Sequence, residues 1–316
     1  MDSGEGLFDL ADYGSELRRA AAALKIPRPK HALDEAREFG GWSLHKLDLL
    51  RLYLKMYRRV AGGGTYIDGF AGTGQIRVDG KLRPGSPRIA IGSGAFKRLH
   101  FFELKDQAEK LDRHLRRWVP AKERLQCSIH PGDFNVAVLE LLGSEGVERD
   151  KPCFAFLDPN STELSWATVK ALAAYKGGSE GILKIELWIL LNTYQALVRL
   201  MPHKEPTGYA TGPDATTLDR VMGGREAWWD IRTADRRPEA LAIRYAERLQ
   251  SELQYRAARA HIILDPKTKR PQYHMIHAGD HEAAFSFMRW AEVETSQEPY
   301  EAPRLFGVPE LTRRSR

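Results

Sequence analysis

The fold of this protein is indicated first by the stretch Tyr66-Ile-Asp-Gly-Phe-Ala-Gly-Thr-Gly74. It begins as a β-rich run, closes that run with Asp68, and continues as a glycine loop. Gly69, Gly72 and Gly74 allow a tight turn and a close approach of the backbone to a ligand. Such a loop alone is a weak signal, because a purely structural turn has the same composition. The P-loop pattern is absent from the sequence, which argues against triphosphate binding.

Short β-rich runs alternate with helical patterns from this stretch onward. We predict strands at 65–70, 99–103, 126–130, 152–158 and 183–191, with helices between them. This alternation is typical of a parallel sheet with right-handed crossovers. Residues 257–264 and 272–278 then predict a β-hairpin. We therefore predict an α/β, Rossmann-like sheet of the class I methyltransferase type, with seven mostly parallel strands and a C-terminal antiparallel hairpin.

The domain organisation follows from the same pattern. We predict N-terminal helices or an arm over 1–42, one methyltransferase-like domain over 43–293 with a helical insertion at about 202–234, and a tail over 294–316. No apolar run approaches the ~20 residues that cross a bilayer. The acidic N-terminus lacks a secretory signal, so we expect a cytoplasmic protein with no membrane partner. The sequence does not indicate the oligomeric state.

Charge and cysteine content limit the function classes. The net charge of +6 is compatible with a polyanionic partner such as nucleic acid. The two cysteines, Cys127 and Cys153, lie in apolar stretches and are expected to be buried thiols. His274 and His277 would point to opposite faces of one strand, so we expect no metal site.

Four acidic residues close successive strands or follow them directly: Asp68, Glu103, Asp133 and Asp158. They are 35, 30 and 25 residues apart, about one strand-helix unit each. Ligands of open α/β sheets bind at the carboxyl ends of the strands. This series is therefore more specific than any single motif, and it predicts one ligand site along that edge.

The first part of this site suits S-adenosylmethionine (SAM), which carries an ammonium and a sulfonium but no phosphate. An acid in the loop fits such a cation, and the predicted cradle consists of Asp68, Gly69, Phe70, Gly72 and Gly74.

Two further acids would hold the nucleoside part of SAM. Glu103, followed by Leu104, would accept hydrogen bonds from both ribose hydroxyls. The alternative for Glu103 is a solvated strand-end acid. Asp133 would accept a hydrogen bond from the adenine amine with Phe134 beside the ring, and its alternative is a helix N-cap.

The segment Asp158-Pro-Asn-Ser161 resembles the Asp/Asn-Pro-Pro-Tyr/Phe loop of amino-group methyltransferases. That resemblance implies that Asp158 holds an exocyclic amine. Asn160 and Ser161 replace the second proline and the aromatic residue of the pattern. We predict Asp158 and Asn160 as catalytic residues, with Asp158 also touching the cofactor, and Pro159, Ser161 and Trp166 as substrate-binding residues. Trp166 would supply the stacking face, or alternatively be a buried structural residue.

The sequence as a whole resembles the three-Cys-motif partner protein (TcmP) family over roughly residues 43–293. The resemblance is carried by Lys46-Leu-Asp-Leu-Leu-Arg-Leu-Tyr53, Tyr66 to Gly74, Gly85-Ser-Pro87, Glu103, Phe156-Leu-Asp-Pro159, Leu164-Ser-Trp166 and Tyr273-His-Met-Ile-His277. It implies a methyltransferase-like fold and a radical-SAM-like partner protein with three cysteines. Similarity to related nucleic-acid methyltransferases implies that Lys46 reaches the SAM carboxylate, the alternative being an ordinary surface lysine. Relatives more often carry an aromatic residue and a glycine in place of Asn160 and Ser161.

The leading hypothesis is SAM-dependent methylation of a nucleic acid at an amino nitrogen of a base. A SAM-binding or non-catalytic partner module for the three-cysteine protein is one alternative, and a small-molecule methyltransferase is another.

Overall fold

The structure, a computed structural model, describes residues 39–144, 146–176, 182–201, 213–265 and 267–295. Its main sheet has seven strands in the order β5-β4-β1-β6-β7-β9-β8. Only β9 is antiparallel to its neighbours β7 and β8. The sheet strands are β1 (Gly64–Asp68), β4 (Phe96–Glu103), β5 (Cys127–Pro131), β6 (Cys153–Leu157), β7 (Glu186–Leu191), β8 (Ala257–Leu264) and β9 (Pro271–Gly279).

This strand order is that of the class I methyltransferase sheet, so the predicted fold class is confirmed. The central strands β1 and β6 are buried along their whole length. Helices cover both faces of a parallel sheet, which is why these strands are continuous apolar runs instead of alternating ones.

Ten helices are found in the described parts of the chain, and most of them form two layers around the sheet. One face is covered by α1, α2, α3 and α10, and the other by α5, α6, α8 and α9. The helices are α1 (Gly41–Ala61), α2 (Ser86–Ser93), α3 (Lys105–Trp118), α4 (Ala121–Arg124), α5 (Phe134–Gly143), α6 (Trp166–Tyr175), α7 (Val198–Leu200), α8 (Pro213–Met222), α9 (Arg237–Ser251) and α10 (Glu282–Thr295).

A small hairpin, β2 (Gln75–Val78) and β3 (Lys81–Pro84), was not among the predicted elements. Its turn residues Asp79 and Gly80 have φ of 49° and 70°. Positive φ at both central positions is typical of a type I′ turn, for which Asp-Gly is a preferred sequence. The dipeptide was therefore a usable signal, but four-residue strands carry too little periodicity to be recognised alone.

The helical segment that follows β7 is irregular. A π-helical turn, Thr193–Leu197, precedes the short α7. The Asn192 side chain is the N-cap of this turn, since it accepts hydrogen bonds from the N–H groups of Gln195 and Ala196.

The insertion is helical where the structure describes it. It contains α8 and two 3₁₀ turns, Arg225–Ala227 and Asp230–Thr233. The predicted arm up to residue 38 and the predicted tail beyond residue 295 lie outside the described residues, as does 202–212. Within the described ranges, no helix combines the length and apolar character needed to cross a membrane.

Candidate functional site

Asp68 closes β1 at the carboxyl edge of the sheet and is completely buried. The Tyr66 hydroxyl donates to its Oδ2 at 3.2 Å. Ser86, at the start of α2, and the N–H of Phe70 also hydrogen-bond to this carboxylate. Its Oδ1 is buried without a hydrogen-bond partner. A buried acceptor of this kind is costly unless a ligand satisfies it.

Burial raises the pKa of Asp68 from its ordinary value to about 7. The hydrogen bond from Ser86 opposes this shift, whereas the charge of the nearby Asp158 adds to it. A carboxyl group with this pKa loses its proton near neutral pH, and a cationic ligand would favour the anion.

The Asp68→Asn substitution is expected to flatten the pH dependence of stability. The folded protein holds this proton up to about pH 7, whereas the unfolded chain releases it near pH 4. The Asp68 contribution to the free energy of unfolding therefore falls as the pH rises from about 4 to 7. Wild type should lose up to about 3 kcal/mol more than the variant between pH 5 and 8. Urea unfolding at both pH values measures this difference, and equal losses would contradict it.

The glycine loop leaves space beside the strand end. Gly72 has φ of +59°, and a Cβ placed there would meet no atom within 4 Å. Gly74 has φ of +76°, and its Cβ would approach Leu111 to 2.9 Å. Gly85 donates from its N–H to the Gly74 carbonyl at 3.0 Å, which fixes the loop against the start of α2. Gly72 therefore faces open space, while Gly74 is needed for packing and backbone conformation.

Glu103 ends β4 directly beside this loop. Its Oε2 accepts from the N–H of Gly72 at 2.8 Å, and its Oε1 accepts from the N–H of Leu104 at 2.9 Å. A carboxylate has about four acceptor sites, so two remain after these bonds. The Leu104 side chain is 62% exposed. This arrangement combines a pair of acceptors with an adjacent apolar surface.

Asp133 is the N-cap of α5, as its alternative assignment anticipated. Its Oδ1 accepts from the backbone N–H of Asn135 at 2.8 Å, and its side chain is exposed. Phe134 is only 3% exposed and packs on Phe70 and Phe102, with ring centroids 5.4 and 5.2 Å apart. The Phe134 ring thus belongs to the core and supports the loop from behind.

Asp158 follows β6 and forms an ion pair with Lys46 of α1. The Lys46 side chain is 10% exposed and that of Asp158 is 19% exposed. Lys46 is therefore not an ordinary surface lysine. Helix α1 brings Lys46 to the same edge of the sheet as Asp68. The negative charge of Asp158 there contributes to the raised pKa of Asp68.

The loop after Asp158 is held by three side chains that the sequence analysis did not select. Asn192 donates to the Asn160 carbonyl at 3.4 Å. Asn135 donates to the Glu163 carbonyl at 2.9 Å. Arg220 of the insertion donates to the carbonyls of Thr162 and Glu163 at 2.7 and 3.0 Å. These residues are distant in sequence from the loop, so no local pattern could have indicated them.

The stacking role predicted for Trp166 is not supported by its position. The residue is 3% exposed, with Tyr245 packed edge-on at 4.9 Å and the Arg248 guanidinium over the ring at 4.5 Å. Both contacts come from α9, which covers the ring because an indole beside a sheet is stabilised by burial. Trp166 is therefore a core residue in this structure, as its alternative assignment anticipated.

The other predicted substrate residues lie at the site edge. Pro159 is buried, Asn160 is exposed, and Ser161 is half-buried. The N–H of Ser161 donates to Glu163 Oε2 at 2.7 Å, so this acid shapes the end of the loop.

The histidines and cysteines are engaged elsewhere. His274 hydrogen-bonds Thr193 at 2.7 Å, whereas His277 contacts Glu186 at 2.9 Å. The described part of the chain holds no cluster of three or more metal-binding side chains. Cys153 is buried and Cys127 is half-buried, and burial raises the pKa of each thiol to about 12.

Comparison with solved structures finds weak similarities. Protein LPL1258 from Legionella pneumophila aligns with a TM-score of 0.49 and 12% identity, over 81% of this chain and 91% of its own. M. jannaschii TYW2 in complex with AdoMet aligns with a TM-score of 0.33 and 11% identity, over 76% of each chain. NcsB1 is an O-methyltransferase from neocarzinostatin biosynthesis, solved in complex with SAM and a naphthoic acid. It aligns with a TM-score of 0.32 and 14% identity, over 85% of this chain and 60% of its own. Similarities this weak do not assign an activity.

Sequence comparison adds no closer relative. No family model matches the chain, and no curated protein matches it. The resemblance to the TcmP family is therefore not confirmed, although the methyltransferase-type sheet is present.

Proposed function

We propose that this protein is a SAM-dependent methyltransferase that acts on an amino nitrogen of a nucleic-acid base. One observation carries the proposal: Asp68, Glu103 and Asp158 lie at or directly after the ends of three adjacent strands at one edge of a methyltransferase-type sheet. Lys46 holds Asp158 at that edge, and the open side of Gly72 leaves room there for a ligand.

The residues present fit SAM by their chemistry. The unpartnered Asp68 Oδ1 suits a cationic group, and the two remaining acceptor sites of Glu103 suit a pair of ribose hydroxyls. The exposed Leu104 side chain offers an apolar contact for the adenine ring. Lys46, already at this edge, would hold the SAM carboxylate, and Asp133 remains the candidate for the adenine amine.

The chain's own part in the transfer is to place the acceptor and manage its proton. SAM, when bound, supplies a methyl group on a cationic sulfur, and the N–C bond forms as the C–S bond breaks. Asp158 would accept a hydrogen bond from the acceptor amine and so direct the nitrogen lone pair. It would then take up or pass to water the proton that the nitrogen loses. Lys46, which is ion-paired with Asp158, would hold this carboxylate in place for both tasks.

A polyanionic acceptor is supported by charge. The net charge is +6. Exposed cations also occur on both hairpin tips at the carboxyl edge, namely Lys81, Arg83, Lys267, Lys269 and Arg270. We define these five residues as the basic rim. Phosphate contacts by such side chains supply sequence-independent affinity for nucleic acid.

Calorimetric titration of SAM and tritiated-methyl transfer onto RNA and DNA of the native host test the proposal. Wild type is expected to bind SAM and to label nucleic acid in a nuclease-sensitive form. Failure to bind SAM would overturn the cofactor assignment. SAM binding with label only in small molecules would indicate a small-molecule methyltransferase. SAM binding without turnover, together with co-purification of a three-cysteine protein, would indicate the partner module.

A further inference from the structure

Two aromatic residues outside the predicted site, Trp42 and Tyr273, pack on each other near the Lys46–Asp158 ion pair. The Trp42 indole hydrogen-bonds Tyr273, and their ring centroids are 6.4 Å apart at an interplanar angle of 59°. Burial and the charge of Asp158 both raise the pKa of the Tyr273 hydroxyl. Tyr273 therefore lies within electrostatic range of Asp158.

Trp42 is placed by α1, which already contributes Lys46, and Tyr273 is placed by β9. Trp42 precedes Lys46 by one turn on α1, so the two side chains lie on the same face of that helix. Tyr273 lies on β9, the antiparallel strand next to β7. Each ring is half-buried. One part of each ring is thus held by the protein and another part is accessible to a ligand.

The substrate loop itself offers no accessible aromatic ring. Ser161 stands where the aromatic residue of the resembling loop would be, and Trp166 is enclosed by α9. A base that presents an amine to Asp158 would need a planar contact from another part of the chain. Among the residues around Asp158, Trp42 and Tyr273 meet that requirement.

We propose that Trp42 and Tyr273 form the stacking site for the acceptor base, a planar heterocycle with an exocyclic amine in a single-stranded polynucleotide. This proposal rests on the proposed function and names the acceptor site of the same centre. The base stacks on the rings while its amine donates to Asp158. The hydroxyl of Tyr273 accepts a hydrogen bond from the Trp42 indole, which holds the two rings together.

The surroundings of the two rings suit a single strand. Lys267 of the basic rim pairs with Asp79 at 3.2 Å, which joins the tips of the β8–β9 and β2–β3 hairpins. The N–H of Phe39 donates to the Arg77 carbonyl at 2.8 Å, so the chain that enters α1 is attached to the same hairpin. Cations on both tips would follow a phosphate backbone, and aromatic rings next to a basic groove are the usual elements of single-strand binding.

The test compares the full-length wild type with four single variants. Two are the leucine variants Trp42→Leu and Tyr273→Leu, and two are the conservative phenylalanine variants Trp42→Phe and Tyr273→Phe. The probes are fluorescein-labelled single-stranded oligoadenylate, oligocytidylate and oligouridylate of RNA, and the matching DNA strands. Anisotropy in the presence of S-adenosylhomocysteine gives Kd, and tritium transfer gives kcat and KM. Trp229→Leu is the matched control, because Trp229 is also half-buried but lies in the insertion under Arg232.

Each leucine variant is expected to raise Kd and KM for the adenine and cytosine strands about 10-fold. SAM affinity should stay within about twofold, and the phenylalanine variants and the control should bind as wild type does. Uracil strands, which lack an exocyclic amine, should bind more weakly than the other two. The RNA and DNA strands identify the sugar of the acceptor.

The outcomes separate this proposal from the one on which it rests. If wild type binds SAM and methylates nucleic acid while both leucine variants match it, the stacking site is wrong and the proposed function stands. If wild type fails to bind SAM, the proposed function is wrong. If wild type binds SAM but no oligonucleotide, the polynucleotide acceptor is wrong. Thermal unfolding shows whether a weakened variant is folded, and if one leucine variant is unfolded, the other leucine variant carries the test.

Discussion

Replacing Asp158 with Asn is expected to lower kcat for methyl transfer about 1,000-fold. The substitution keeps the shape of the side chain but removes the negative charge that orients the amine and receives its proton. It also leaves Lys46 without its ion-pair partner. SAM affinity should fall less than about tenfold, because Glu103 and the glycine loop are unchanged.

Single-turnover transfer and SAM calorimetry measure these two effects separately. Asp150→Asn is a suitable control, since this exposed acid precedes β6 at the opposite edge of the sheet. The Lys46→Met, Asp158→Asn double variant removes the unpaired ammonium and should remain inactive while regaining stability lost in the single variant. A rate within tenfold of wild type in Asp158→Asn would remove this residue from the mechanism.

The Glu103→Ala substitution is expected to raise the Kd for SAM about 100-fold. Two charge-assisted hydrogen bonds to the ribose would be lost, at about 1.5 kcal/mol or more each. The loop N–H groups of Gly72 and Leu104 would also lose their acceptor. The loss should appear in Kd and in KM for SAM, with a smaller change in the rate at saturation.

Calorimetry of three proteins tests this prediction. Glu103→Gln keeps one acceptor oxygen and should show an intermediate loss of about tenfold. Glu109→Ala removes an exposed acid on α3 and should leave SAM affinity unchanged. Unchanged SAM affinity in Glu103→Ala would show that the nucleoside does not bind at the end of β4.

Much of the fold could be predicted because its signals are local. The β-rich runs of β1, β4, β5, β6 and β7 are visible without any tertiary contact, as are the acids at or just after the ends of the first four. The C-terminal hairpin was also apparent, and it indicated the antiparallel strand that distinguishes this sheet type. The β2–β3 hairpin was not predicted, because its strands are too short to show a period.

The positions of the candidate site's acids could be predicted for the same reason. Asp68, Glu103 and Asp158 follow from strand ends, which meet at one edge in any parallel sheet. Trp166 was predicted as a stacking residue, since an aromatic near the loop looks available until α9 is packed over it.

The glycine loop at 66–74 and the strand-end acids were determined by the sequence itself, because neighbouring residues specify a turn and the end of a strand. Only the tertiary structure decided which side chains accompany these acids. Lys46 and Trp42 come from the helix before the sheet, and Tyr273 comes from its antiparallel strand. Their meeting at Asp158 depends on how helices and strands pack across the sheet edge, and that packing minimises exposed apolar surface over the whole chain.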